Sequence, residues 1–459
     1  MVQGAVPDDL NGAFYRVGPD PQFPPKLGVD IPFNGDGMVS MFKFEDGRVD
    51  FRSRYVRTPK FVAEREAGEA LFGAYRNPFT DDPRVKGVSR GTANTNIVWH
   101  GGRMMALKED SHPIEINPLT LDTIGPFNFG GQLDSATATA HPKIDPRSGN
   151  LVFFGYAAKG ETTPDIAYYE ADAEGNLVFA RWFEAPYSSM QHDFAVTENH
   201  IVFPVFPLRS NLAWLREGEP AFKWDPSMPM YLGVVNRLDP EATISWHVGP
   251  TCFASHVMNA YEHDGKIHLD MPVGETNVFP FFPEINGNDF DAAAATPYVS
   301  RWTIDLASPS QDFTRRQLTD IPGEFPRIDE RSATLPYDAG FVCMMGPDPT
   351  VPEGYTKLRF NLLGRLDSRT GEATTHYVGD ASATQEPIFV PRPGSTDPGD
   401  GYLMALINRF EEMRCDLLIL DATRIDEEPV ATIALPMRLR NGLHGTWVDG
   451  ADLSAYAAG

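Results

Sequence analysis

Three of the eleven histidines share a local setting: a histidine, a few residues, a polar turn and then an apolar strand. They occur in HPKIDPRSGNLVFFGY from His141, HDFAVTENHIVFPV from His192 and HVMNAYEHDGKIHLDMP from His256, at separations of 51 and 64 residues. A fourth, His444 in GLHGTWV, lies between glycines that admit close backbone approach. A lone histidine is ordinarily a hydrogen-bonded core or surface residue, and His200, His263 and His268, in turns or on opposite strand faces, read that way. Several in a matched setting point instead towards a metal centre, since imidazole suits Fe, Zn, Cu and Ni. Ligating imidazoles need an acceptor for their second N–H, and four neutral ligands leave the charge of a divalent ion uncompensated. Glu109 in LKED, Glu324 in GEFPRID and Glu386 in QEPIFVPR have suitable settings. In isolation each reads as a surface charge.

The elements that would bring such residues together repeat along the chain. A short strand ending in Asp or Asn, a polar turn and a second strand recur at Asp46, Asn117, Asp172, Asp239, Asp305, Asp367 and Asp421. Their spacing runs from 54 to 71 residues. Amphipathic helical patterns are scarce, and 40 glycines and 40 prolines are spread throughout, which indicates short strands and many turns. Seven hairpins at this spacing predict an all-β, seven-bladed β-propeller, with loops and short helices capping one face over the axial site. The competing arrangement, two or three separate β-sandwiches, would need linkers, and no Pro/Ser-rich segment divides the chain. Residues 1–459 are therefore expected to form a single propeller domain. In a propeller the inner strands of different blades converge on the axis, where the histidines could meet around one ion.

Composition excludes several other classes. With 39 Lys+Arg against 63 Asp+Glu, the formal net charge is −24. Without a basic run, this argues against nucleic acid or anionic lipid as a partner. No run approaches 18 apolar residues, so no membrane span is expected. The start, MVQGAVPDDLNG, has neither a basic nor an apolar region of a signal peptide. Three separated cysteines, Cys252, Cys343 and Cys415, build no disulfide framework and fit a reducing cytoplasm. The sequence leaves the oligomeric state open, with a dimer as one option.

Ordered motifs through nearly the whole chain carry a resemblance. They include LNGAFYRVGPDPQFPP, FNGDGM, TAHPKIDP, the QHD and SHVMNA histidine segments, EFPRID, QEPIFVPR and LPMRLRNGLHGTW. The sequence resembles the carotenoid cleavage oxygenases, a family of non-haem iron dioxygenases. The resemblance implies a seven-bladed propeller holding Fe(II) by His141, His192, His256 and His444, backed by Glu109, Glu324 and Glu386. It also implies that Thr95, in GTANTN, stands near the vacant position of the iron.

Within the family the chain is more similar to the lignostilbene dioxygenases. That likeness implies that Tyr75, in LFGAYRNPFTDDP, and Lys108 contact the 4-hydroxyl of the substrate. It also implies that Phe33 and Phe279 flank the aromatic ring. The implied partners are a small aromatic alkene and O2. Lys108 would favour a phenolate, or a strongly polarised phenol, whose electron density reaches the alkene that is split into two aldehydes. Relatives usually extend further before the segment matched here by VQGAVPDDLNG, a difference expected to bear on blade closure or an outer edge.

Four other readings compete. Isoeugenol-type phenylpropenoids need the same phenol contacts. Apocarotenoids fit less well, because a lysine facing a polyene would be an unpaired charge in apolar surroundings. A non-catalytic propeller used for binding has no need of four histidines and three glutamates, and a Ca²⁺-dependent propeller hydrolase would want oxygen ligands.

Overall fold

The computed structural model describes residues 2–308, 310–347 and 360–459. Among them, seven antiparallel sheets of four or more strands form the blades of a propeller. The first blade is closed by the two ends of the chain: Gly445–Asp449 pairs with Gly12–Pro19, which pairs with Gly37–Glu45 and then Arg48–Tyr55. The next five blades start from the inner strands Asn96–His100, Lys143–Ile144, Ala195–Val196, Asn259–His263 and Gly323–Ile328. The seventh has Ser382–Thr384 and Ile388–Pro391 side by side on Gly401–Arg409, followed by Arg414–Asp421 and Ala431–Ala434. Val2–Gly4 adds a further strand on its outer edge. The N-terminal segment therefore contributes to both closures: the outer edge of one blade and the inner pairing of another.

All seven hairpins expected from the sequence are present as the third and fourth strands of their blades. Burial explains their composition. A middle strand such as Leu151–Tyr156 is sandwiched between neighbouring blades and is buried along its whole length, so LVFFGY carries no alternation. The outermost strands Arg48–Tyr55 and Leu177–Glu184 alternate instead between exposed and half-buried positions. The tight turn in FEDGR works because Asp46 and Gly47 both take positive φ, 50° and 67°, as a two-residue hairpin loop requires.

Loops between blade strands carry the remaining expected residues. The helix Pro59–Ala67 is capped by the Thr58 hydroxyl, which accepts from Phe61 N at 3.1 Å, and it stops at Gly68 in the left-handed region. The chain then runs through a buried stretch to Tyr75. His200, His263 and His268 have the ordinary roles expected of them. His200 pairs with Glu262 at 3.0 Å, His263 is exposed beside Asp264, and His268 meets the Thr303 hydroxyl at 3.1 Å. The three cysteines are buried and free.

The closing blade depends on aromatic packing: Phe14 and Phe42 are fully buried and stacked with ring centroids 5.8 Å apart. Phe14→Ala is expected to cost about 3–5 kcal/mol. The loss would be read as a lower urea midpoint, and an unchanged midpoint would mean that this strand does not hold the ring shut.

Candidate metal centre

His141, His192, His256 and His444 come together on the axis. One nitrogen from each lies within 4.8 Å of all the others. Each of these histidines lies one to three residues before the inner strand of its blade, so a similar approach to the strand recurs at four places around the ring. Close approach at the last position needs glycine, because a Cβ at Gly445 would run into the Tyr15 carbonyl and one at Gly442 into the Arg16 side chain.

The three glutamates take the outward-facing nitrogens. His192 Nδ1–H donates to Glu109 Oε2 at 2.5 Å, His256 Nδ1–H to Glu324 Oε2 at 2.6 Å and His444 Nδ1–H to Glu386 Oε1 at 2.7 Å. Burial alone would push these carboxyls up, but the facing imidazoles outweigh it, helped by nearby cations at Glu109 and Glu386 and by Ser255 and Phe325 N at Glu324, and hold all three below the ordinary carboxylate range. An ionised carboxylate only accepts, so it fixes the proton on Nδ1 and leaves Nε2 with a lone pair. His192 Nε2 then stands 3.0 Å from His141 Nε2 and 3.3 Å from His256 Nε2. Between His192 and His256, both backed by carboxylates, the converging lone pairs repel unless a cation sits among them. Metal–imidazole bonds of about 2.1 Å place ligands at right angles about 3.0 Å apart, so the donor set fits a divalent metal. Burial, then the other imidazoles, push the basicity of His141 well below the ordinary histidine value. The same kind of burial takes His444 down to about 4, against the pull of Glu386. Both therefore remain neutral, as ligands must.

A further layer, not anticipated from the sequence, ties the ligand loops together. Asp193, next to His192, accepts from Val257 N at 2.7 Å and pairs with Lys143 at 2.8 Å. One carboxylate thus joins the segments of three histidines. Arg16 donates to the carbonyls of Glu386 and Leu443, at 3.1 and 3.0 Å. Phe325, at positive φ, stacks on His256 with centroids 5.3 Å apart. The only sequence signals for these residues were their places beside His192, in the motif LNGAFYRVGPDPQFPP and after Glu324.

Thr95 is buried beside the centre, where its carbonyl accepts from His444 N at 3.1 Å. Its hydroxyl donates to Asn94 Oδ1 at 2.9 Å, and the Asn94 amide clamps the carbonyls of Phe33 and Gly35 at 2.9 and 2.6 Å. Asn94 was also missed, although it directly precedes Thr95 in the quoted motif. Phe33 meets Phe279 and Phe281 edge-on at 5.8 and 5.3 Å. Phe279 and Phe282 continue this aromatic wall to Tyr75, with centroids 5.8 and then 6.2 Å apart.

Tyr75 and Lys108 are both buried and adjacent. Lys108 Nζ lies 3.3 Å from the Tyr75 hydroxyl and 4.7 Å from its ring centroid. The Tyr75 hydroxyl reaches Glu109 Oε1 at 3.4 Å, so the pair expected to hold a phenol is one carboxylate away from His192. Burial, then Glu109, push the Tyr75 hydroxyl well above its ordinary value, so it stays protonated. Tyr156, at the end of its strand, donates to the same Glu109 oxygen at 3.0 Å.

The family model described as retinal pigment epithelial membrane protein matches residues 1–449. Lignostilbene-alpha,beta-dioxygenase isozyme III of Sphingomonas paucimobilis is 47% identical over 99% of this chain and 94% of its own length. Isoeugenol monooxygenase of Pseudomonas nitroreducens is 45% identical over 97% of this chain and 94% of its own. The crystal structure of Pseudomonas brassicacearum lignostilbene dioxygenase superposes with a TM-score of 0.93 at 42% identity, covering 98% of this chain and 94% of that one.

Two substitutions check the centre. His192→Ala is expected to abolish metal binding, and full occupancy by elemental analysis would remove His192 from the ligand set. Glu386→Gln should weaken metal affinity by roughly 10–100-fold, measured by chelator competition.

Proposed function

Because the chain belongs to the family of the retinal pigment epithelial membrane protein and the carotenoid cleavage oxygenases, we propose that it cleaves the central C=C bond of 4-hydroxystilbenes with O2. The reaction inserts one oxygen atom at each alkene carbon, giving two aromatic aldehydes and consuming one O2. The whole of residues 1–459 acts as one propeller domain around a single centre. Fe(II) is held by His141, His192, His256 and His444, with Glu109, Glu324 and Glu386 orienting three of them. Bound Fe(II) supplies the one-electron chemistry that O2 needs to react with an alkene.

The observation that carries the substrate class is the buried Lys108–Tyr75 pair at 3.3 Å, placed beside Glu109. Lys108 holds the phenol oxygen electrostatically, an effect magnified where water is excluded. The Tyr75 hydroxyl proton is directed at Glu109, so towards the substrate its oxygen accepts the phenol O–H. Phenol polarised in this way releases electron density through the ring to the alkene. Phe33 and Phe279, in edge-to-face contact with each other, offer an apolar wall to the aromatic ring and keep water away from the alkene. Thr95, fixed by Asn94, lines the centre beside His444.

A second reading keeps the same site and shortens the substrate. The 45% identity to isoeugenol monooxygenase supports a phenylpropenoid, whose phenol would make the same contacts. The protein acts in the cytoplasm.

Lys108→Met is expected to lose most turnover of 4,4′-dihydroxystilbene while keeping its metal. The assay is mass spectrometry for 4-hydroxybenzaldehyde after Fe(II) loading. Wild-type kcat/KM would remove Lys108 from the reaction, and aldehyde formation from isoeugenol alone would select the shorter substrate.

A further inference from the structure

Tyr75 and Arg76 are consecutive, yet both reach the same oxygen of Glu109, at 3.4 and 3.7 Å. The backbone at Arg76 lies in the left-handed region, φ 51°, which costs an ordinary side chain energy and persists only where its surroundings impose it. The surroundings here are specific. The guanidinium, only 5% exposed, lies 4.9 Å from the Tyr156 ring centroid and 5.3 Å from that of Phe222. It also donates to the Tyr156 hydroxyl. With Asp110 and Glu161 it lines a separate cavity of about 390 Å³.

The hydrogen bonds in this network have one direction. Arg76 can only donate, so the Tyr156 oxygen accepts from it and the Tyr156 proton goes to Glu109 Oε1 at 3.0 Å. Glu109 Oε2 is then left for His192 Nδ1–H. Neither of the other glutamates has this arrangement. Glu324 is held by the Ser255 hydroxyl and Phe325 N, and Glu386 has Arg327 at 3.7 Å. Glu109 alone among the three also touches the tyrosine expected to meet the phenol.

We propose that Arg76 is a positioning residue that, through Tyr156, fixes Glu109 between two tasks: aiming His192 at the axis and holding Tyr75 against Lys108. It touches neither metal nor substrate. The inference rests on the metal and phenol roles proposed above. It adds that the two ends of the site are set by one buried cation.

The test combines Tyr156→Phe, which removes one hydroxyl and keeps the ring, with Arg76→Met and Arg76→Lys. Each is measured for Co²⁺ affinity by chelator competition, for KM and kcat on 4,4′-dihydroxystilbene after Fe(II) loading, and for thermal midpoint. Tyr156→Phe should weaken Co²⁺ binding about tenfold, the low end for groups that orient ligands. It should also raise KM at an unchanged midpoint. Arg76→Lys, which keeps the charge and a donor, should recover part of what Arg76→Met loses. Wild-type Co²⁺ affinity and KM in a folded Tyr156→Phe protein would overturn the proposal, even if Arg76→Met fails to fold. If the unaltered protein binds no Co²⁺, the metal reading falls and this inference with it. If it binds Co²⁺ but cleaves no hydroxystilbene, only the substrate reading falls, and the affinity comparison still decides the role of Arg76.

Discussion

The structure around the axis depends on a proton being held on the outer nitrogen of three imidazoles. Each of Glu109, Glu324 and Glu386 is buried, and burying an ionised carboxylate without a partner costs several kcal/mol. The Nδ1–H groups of His192, His256 and His444 remove much of that penalty. They do so only if the rings turn their other nitrogens inwards. Between His192 and His256 lone pairs are thereby aimed at one another at 3.3 Å, an arrangement that calls for a cation. His141 completes the set without a carboxylate, positioned by its own strand start and by the Thr139 hydroxyl, which accepts from its backbone N–H.

The propeller meets this demand by repetition. Each inner strand begins close to the axis, so the few residues leading into it are delivered to the centre whatever the blade. Four blades place histidine there, a fifth brings Glu324 from the start of its inner strand, and a sixth brings Glu386 from between two short strands. The remaining inner strand follows Thr95. Stability and site geometry are therefore coupled. Arg16 lies in the strand that closes the ring, and it grips the carbonyls beside His444 and of Glu386. Asp193 likewise joins the loops of three blades. Loosening the ring would loosen the centre.

Charge is distributed with the same economy. Lys108, Arg76 and Arg327 all stand near the buried carboxylates, and in a low-dielectric interior such neighbours act over longer distances than in water. Glu109 is where the lysine–tyrosine pair and the histidine centre meet, so the same anion governs both the tyrosine facing the aromatic wall and one inward-facing imidazole. The aromatic wall from Phe33 through Phe279 and Phe282 to Tyr75 keeps that junction dry.

The local pattern of the chain was enough to determine the blades. Alternation, turn residues and the spacing of Asp-ended hairpins are short-range properties, and all seven hairpins occur where they were read. The histidines of the centre were legible for a similar reason, since each lies one to three residues before an inner strand. The roles of Glu109, Glu324, Glu386, Tyr75 and Lys108 were legible only through resemblance, because a single Glu or Lys in a sequence looks like a surface charge. Asn94, Arg16, Asp193, Tyr156 and Arg76 lie inside the quoted segments, but nothing in the sequence marked their roles. Their partners lie in other blades or distant loops, up to 427 residues away in the case of Arg16 and Leu443. Which buried polar group meets which is set by how the blades pack around the axis, and that is a property of the closed ring, not of any segment within it.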